Sequence, residues 1–461
     1  MDPRQSSRSL PHFSRAIRAT ALLLAACAAP PPRVDVEAEV EAAVPASAIA
    51  FRAEGGPIDV ASPAQAELTL PTALKCSVER SPELQAALAR VRMAQADADF
   101  AALLPNPILD VVLRWPASGG SPEIEAGIAT DLLSILQRPR RSSAAGHRLE
   151  AEAASALAAA LDVVAEVQEL YARIQALDAL APLLEQRLAG LVRLVEVAQA
   201  RLELGEGTRQ EVTALAAERA GLAIELSEQR LALHQARLSL ARRLGEPSAD
   251  ASWRLDAWSS PGILPTAEAP WIQASLTARP DLMAIEWELR ARGDEAALAG
   301  ASSLEGLELG VAAERQGGWA IGPSAATPLP VFDTGDARKD RARAAESEAR
   351  HRLTEAQRKA VEEVRSSLAA LAESQASLPS VEGELIPLAE RRRSAVEQAF
   401  QLGLVDVTAL LLAERDLQTA RARRVTLEQA VSLARIRLER AVGGPSSFSS
   451  TVSRRTAEVQ P

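Results

Sequence analysis

Ser81-Pro82-Glu83-Leu84 returns 198 positions later as Arg279-Pro280-Asp281-Leu282, and this pair decides the reading of the whole chain. The same offset relates Arg140-Arg141 to Arg338-Lys339, Leu204-Gly205 to Leu402-Gly403, and Leu244-Gly245-Glu246-Pro247 to Val442-Gly443-Gly444-Pro445. A fixed register over four separated landmarks marks a duplicated module of several elements rather than a run of short solenoid repeats. Within each copy the plan is a helix, two short strands, a very long helix, a Gly turn and a helix running back.

The helix starts are readable from capping chemistry. Ser81 suits an N-cap and Pro82 the first helical position. That helix is expected to run to about Leu104, where Pro105-Asn106-Pro107 ends it. Two stretches of period-2 alternation follow. Leu109, Val111, Leu113 and Trp115 share one face against Asp110 and Arg114. Ile124, Ala126, Ile128 and Leu132 oppose Glu123, Glu125, Gly127 and Asp131, with a turn over Pro116 to Pro122. In the second copy Leu307, Leu309 and Val311 alternate with Glu308, Gly310 and Ala312, and a weaker strand starts near Trp319 after Gly317-Gly318. Such strands suit either a half-buried sheet in a soluble domain or a membrane barrel with an apolar outside and a polar lumen.

From Arg140 to Leu204 apolar residues keep a coiled-coil spacing, through Leu157, Leu161, Val164, Val167, Tyr171 and Ile174. At 1.5 Å per residue this stretch would span roughly 100 Å. Pro182 is expected to bend it, as are Pro379 and Pro387 in the counterpart from about Ala337 to Leu402. The return helix from Arg209 to Leu244 is shorter, so the helix from Pro82 would have to stack end to end with it. The link from Pro247 to about Ala278 carries Trp253, Trp258 and Trp271 and is expected to form a small packed collar.

Composition agrees with long packed helices. Of 461 residues, 47% are hydrophobic but only 3% aromatic. The formal net charge of -10 is spread over interspersed charges without a basic run, which argues against nucleic-acid binding. At the N-terminus Arg4, Arg8, Arg15 and Arg18 precede the apolar run Ala19 to Ala26, the pattern of a secretory leader. Leu24-Ala25-Ala26-Cys27 resembles a bacterial lipobox. That resemblance implies diacylation of Cys27, removal of residues 1–26, and, with Ala28 next, sorting to the outer membrane. Residues 27–66, rich in Pro, Ala and Glu, are expected to be a flexible tether. Cys76 is then the only other cysteine, which excludes an intramolecular disulfide, and it reads as a buried structural thiol in a helix.

Taken together, several of these segments resemble the TolC family of outer-membrane efflux proteins. The resemblance rests on the lipobox, the two helix starts, Leu104-Pro105-Asn106-Pro107 and Pro328-Leu329-Pro330-Val331-Phe332-Asp333. The turns Leu204-Gly205-Glu206-Gly207-Thr208-Arg209 and Leu402-Gly403-Leu404-Val405-Asp406, with Ala413-Glu414-Arg415-Asp416-Leu417 after the second, complete it. The two proline-rich segments look most like the branch serving heavy-metal pumps of the resistance-nodulation-division type. The implied fold is mainly α with a small β part: a duplicated helical-hairpin α-barrel, with four strands per chain entering a shared trimeric transmembrane β-barrel. The implied organisation is a first repeat over 67–247, a linker over 248–278, a second repeat over 279–445 and a disordered tail over 446–461.

The resemblance further implies a homotrimer that forms the passive exit duct of a tripartite system. A periplasmic adaptor (membrane fusion) protein would connect it to an inner-membrane pump, and substrates such as metal cations or drugs would pass outward. In this family the hairpin turns face the adaptor, which points to Gly205, Glu206, Gly207, Thr208, Gly403, Leu404 and Asp406. Glu211, Asp110, Arg114 and Glu308 are candidates to line the lumen or gate. Repeated in three copies, Glu206, Glu211 and Asp406 would make acidic rings that favour cations. The rival class is a periplasmic adaptor or coiled-coil scaffold lipoprotein without a pore. An adaptor would carry one helical hairpin within split β-rich domains, whereas this chain has two hairpins with strand pairs between helices.

Nothing in the chain reads as catalytic, and no cofactor is implied. His12 lies in the leader, and His147, His234 and His351 stand singly on charge-rich helical stretches, where solvated helix faces account for them better than a metal site. Phosphate loops, nucleophile elbows and cysteine-pair metal motifs are not found.

Overall fold

The computed structural model describes residues 49–54 and 67–448 apart from short gaps at 116, 118, 120–121, 248–250, 257, 259–261, 316–317 and 446–447. The leader, Cys27, most of the tether and nearly all of the tail therefore lie outside the described residues. In chain order the elements are β1 (Glu67–Leu68), α1 (Leu70–Arg80), α2 (Pro82–Ala101), β2 (Ile108–Arg114), β3 (Glu123–Asp131), α3 (Leu132–Glu203) and α4 (Arg209–Arg243). Then follow β4 (Arg254–Leu255), α5 (Glu268–Ala278), α6 (Pro280–Ala299), β5 (Glu308–Arg315), β6 (Trp319–Ala326) and α7 (Asp336–Ser380). A π-helical turn (Val381–Leu385), α8 (Ile386–Gln401) and α9 (Val407–Ala441) complete the chain.

Contacts group these elements into two compact units. The first holds Val91–Glu152 and Ile285–His351, hence the strands β2, β3, β5 and β6 and the helix ends that lead to and from them. The four strands form one antiparallel sheet in the order β2-β3-β5-β6, so each repeat contributes one hairpin and the edges are β2 and β6. Gly310 lies where β5 crosses β3 closely: a Cβ there would stand 2.8 Å from the Ala129 Cα. His147 is not on a solvated face. Its ring stacks on Trp287 with centroids 5.5 Å apart, and Nδ1 lies 3.2 Å from Asp294 Oδ2.

The second unit holds the helical remainder, and its core repeats with the sequence. In the first repeat Ala73, Tyr171, Ile174, Ala236, Leu240 and Leu244 pack with Trp253. In the second, Trp271, Leu368, Leu371, Ala434, Leu438 and Val442 pack together. Ala236, Leu240 and Leu244 reappear 198 residues on as Ala434, Leu438 and Val442, and Ala73 as Trp271. The tryptophans expected in one collar thus belong to two different clusters, because Trp271 rides on α5, the counterpart of α1 at the same offset. Trp258 does neither: its indole Nε1 donates to the buried Glu428 at 2.7 Å. Phe448 also packs against Trp271, centroids 5.3 Å apart, so the tail expected over 446–461 begins with a docked ring.

Segments near the start are likewise pinned. Ile49 is buried, and Gln85 bonds the backbone just after it, accepting from Arg52 N at 2.8 Å and donating to Ala50 O at 3.1 Å. The Tyr171 hydroxyl accepts from the Asp256 amide and donates to Leu68 O, both at 2.9 Å, clipping β1 and β4 to α3. Burial pushes that phenol up to about 12, and the neighbouring Asp256 carboxylate adds to the shift. Cys76 is half-buried against this cluster, and burial raises its thiol above the ordinary value.

One helix boundary is corrected. α3 starts at Leu132, eight residues before Arg140, because Asp131 caps it: its carboxylate accepts from Ser134 N at 3.0 Å. It then continues through Pro182 without a break. The second long helix stays helical but passes from α7 into α8 through the π turn that lies between Pro379 and Pro387. A helical proline lacks an N–H and crowds the carbonyl four residues earlier, here Gly383. A π turn widens the helix at that carbonyl and removes the clash.

Candidate functional site

The sheet has two chemically distinct faces. Because side chains alternate along a strand, the pairing registers fix which residues share a face. Asp110, Arg114, Glu123, Glu125 and Asp131 from the first repeat align with Glu308, Gly310, Ala312 and Glu314 from the second. The opposite face carries Leu109, Val111, Leu113, Ile124 and Ile128, then Leu309, Val311, Trp319 and Ile321. The polar face thus holds six carboxylates against one arginine, Arg114, which pairs with Glu125 at 3.2 Å. The sequence-predicted residues Asp110, Arg114 and Glu308 all sit on this face. Most of the apolar residues are exposed, Leu109 at 69% and Trp319 at 60%.

The hairpin ends are built from a repeated helix stop. At the first, Gly205 takes φ 79°, its amide bonds Leu202 O at 3.1 Å, and Glu206 N bonds Arg201 O at 2.9 Å. At the second, Gly403 takes φ 70°, with Gly403 N to Phe400 O at 3.0 Å and Leu404 N to Ala399 O at 2.9 Å. This pair of bonds is the Schellman closure, and glycine supplies its left-handed residue without a Cβ penalty. The following helices are capped by side chains. Thr208 Oγ1 accepts from Glu211 N at 3.2 Å, and Asp406 Oδ1 accepts from Ala409 N at 3.0 Å. Gly207 is held tightly, since a Cβ there would stand 3.1 Å from Leu202 N.

These bonds sort the predicted tip residues. Glu206 is exposed, whereas Asp406 spends one carboxylate oxygen on a cap and Glu211 lies 3.9 Å from Arg201. Leu404, also among the predicted tip residues, is about three-quarters exposed, and so are two neighbouring leucines that sequence reasoning passed over, Leu204 and Leu402. Behind the tips Leu191, Val195 and Ala198 of α3, Leu215 and Leu222 of α4 and Leu411 of α9 form one cluster. Across it Glu218 reaches Arg187 at 3.4 Å and Arg415 at 3.9 Å. Among the described residues no group of three or more His, Cys, Asp or Glu side chains is placed to hold a metal, and no helix is long and apolar enough to cross a membrane.

The sequence profile of outer membrane efflux proteins matches residues 74–246 and again 271–444, two spans that reproduce the internal repeat. The chain belongs to the outer membrane efflux protein family. Solved structures agree on the fold. The outer membrane protein VceC from Vibrio cholerae superposes with a TM-score of 0.67 at 21% identity, covering 81% of this chain and 96% of that one. The outer-membrane channel OprN gives 0.68 at 19% identity, with 91% and 99% covered. CusC gives 0.67 at 18% identity, with 86% and 98% covered. The comparison with curated protein sequences found no match. This family member therefore has the TolC-like architecture, mainly α with a small β part, and is an outer-membrane efflux protein.

Proposed function

We propose that three copies of this chain form the passive exit duct of a tripartite efflux system. The observation that carries this reading is the sheet: four strands, two open edges, one apolar and one acidic face. Open strand edges cannot stand in lipid, where unpaired N–H and C=O groups cost several kcal/mol each. Four strands also fall short of the smallest membrane barrels, which have about eight. Copies joined edge to edge, β6 of one beside β2 of the next, remove both edges, and the trimer implied by the TolC resemblance gives twelve antiparallel strands. The apolar faces then meet lipid, and the carboxylates line a lumen that favours cations.

In this reading the hairpin ends face an adaptor, with Leu204, Leu402 and Leu404 as apolar anchors and Glu206 as a charged rim. Gly205, Gly207, Thr208, Gly403 and Asp406 shape the ends, Glu211 stands behind them toward the gate, and Asp110, Arg114 and Glu308 belong to the barrel lumen. An inner-membrane pump supplies the energy, and metal cations or drugs are the cargo. Acylated Cys27 adds a lipid anchor. The test is single-channel recording in planar bilayers, with the mass of the detergent-extracted protein measured beforehand. A trimer giving discrete, cation-selective steps is expected, with selectivity falling in E125Q/E314Q. A monomer or dimer without steps overturns the duct.

A further inference from the structure

The segment Thr327 to Gly335, between β6 and α7, displays apolar side chains on a braced backbone. Phe332 is fully exposed at 101%, and Leu329 and Val331 are exposed at 78% and 69%. The chain that carries them is nonetheless tied down. Asp333 accepts from Gly335 N and from Arg338, both at 2.8 Å, and Arg338 also pairs with Glu305. Thr334 donates to Asp336 at 2.7 Å, and the Pro328 ring lies 3.6 Å from where a Gly306 Cβ would be. A braced loop that presents three bare apolar side chains to water is a surface awaiting a partner.

The opposite edge of the same sheet carries a matching patch. Where α2 gives way to β2, Phe100, Leu103 and Ile108 are exposed at 75%, 60% and 56%. The registers place both patches at one end of the sheet: Ile108 aligns with Ala129, Asp131 with Glu308, and Glu308 with Ala326. Each copy thus has an apolar knob below one edge strand and an apolar seat below the other. We propose that Phe332, with Leu329 and Val331, docks on the Phe100–Leu103–Ile108 patch of the adjacent copy and locks the ring in head-to-tail order. A heterologous contact of this kind closes into a ring when the rotation permits. The inference rests on the edge-to-edge closure proposed above. A second copy fits better than hydrocarbon, because the bracing carboxylates Asp333 and Glu305 are 69% and 60% exposed and bilayer interior disfavours charge.

The experiment is cross-linking of the full-length lipoprotein in its membrane, in a Cys76→Ser background. F332C or V331C is combined on one chain with F100C, L103C or I108C, three seats that allow for strand tilt. Oxidation is run alongside a short bis-maleimide, since a disulfide needs Cα atoms within about 7 Å. Ladders of dimer and trimer that require both cysteines are expected. F332S should lower the temperature at which the trimer dissociates in SDS, and F332L should restore it. A trimer of normal mass with no ladder from any pair overturns the lock and leaves the duct standing. Quenching of a probe at F332C by brominated lipid would then assign the loop to the bilayer. A mass other than a trimer overturns the edge-to-edge closure, and the lock with it.

Discussion

The same helix stop is used four times, and alanine substitution should cost very different amounts at two of its glycines. At Gly205 the residue takes φ 79° but nothing lies within 4 Å of where a Cβ would stand, so G205A should cost only the left-handed backbone, about 1–2 kcal/mol. At Gly443 φ is 95° and a Cβ would stand 2.8 Å from the Ala278 carbonyl carbon, with the carbonyl oxygen nearer still. Carbon–oxygen contacts normally settle near 3.3–3.6 Å, so the end of α9 and the α5–α6 junction must part by roughly half an ångström or more. That junction is backbone and carries Arg279, whose guanidinium is held by Asp281 and Glu363 at 2.7 and 2.6 Å, so neither side yields easily. Overpacking of this kind costs about 1–3 kcal/mol beyond the backbone strain. At about 2–4 °C per kcal/mol, G443A should melt several degrees below G205A when helix content is followed by circular dichroism at one scan rate. Equal midpoints would refute the close-approach argument and leave positive φ as the whole reason for glycine at both places.

Other expectations follow from named contacts. Burial opposes ionisation of Asp281, but Arg279 overrides it and holds the carboxyl below its ordinary range. The stability this adds is present above about pH 4 and lost as pH falls through the folded value. R279L should therefore cost about 2 kcal/mol near neutrality, less than a fully buried pair because Asp281 and Glu363 are partly exposed, and its deficit should shrink on acidification below about pH 4. A deficit independent of pH would mean that packing, not charge, was removed. Y171F leaves the Asp256 amide and Leu68 O without their shared partner and should cost about 1–2 kcal/mol by thermal melting. G310V should block the approach of β5 to β3 and abolish heat-modifiable trimer on gels, whereas G119A, with open space around it, should not. D406N should keep the cap on α9 while removing charge, and D406A should lose about 1 kcal/mol, read by melting of the full chain.

Period-2 alternation made β2, β3 and β5 legible, since one face had to be apolar wherever the other carried Asp110, Glu125 or Glu308. Gly205 and Gly403 announced the hairpin ends because few other residues close a long helix into a turn. The parallel pair β1–β4 was not legible: two residues carry no period, and the partners are 187 positions apart, as in Glu67 with Arg254. The cap at Asp131 was visible as an acidic residue three before Ser134, but Arg140 offered a stronger repeat landmark and drew the helix start too late. α5 was missed because its equivalence to α1 is structural; Ala73 and Trp271 share a position but not a size. The apolar tips Leu204 and Leu402 were hidden for a different reason, whereas Leu404 was read as part of its turn. Each of the two stands at the end of a long helix with buried leucines, and only the fold reveals that there is no core left for it to enter.

Divergence between the repeats follows from what each position has to do. Where a residue closes a helix or caps one, the duplicates keep their chemistry: Gly205 and Gly403, Thr208 and Asp406, Leu240 and Leu438. At the tips they keep one exposed leucine, Leu204 or Leu402, and part at the next turn position, where Glu206 is matched by Leu404. The long helices part as well, α3 running whole while its counterpart widens into the π turn ahead of Pro387. Two identical hairpins would repeat one surface at every tip of an oligomer. Two different ones, with Glu206 at one tip and Leu404 at the other, let a partner that contacts both tell them apart. On that logic E206L, which makes the first tip resemble the second, should leave trimer mass and melting unchanged while weakening adaptor binding. If binding to the adaptor is unaffected, the difference between the tips carries no recognition.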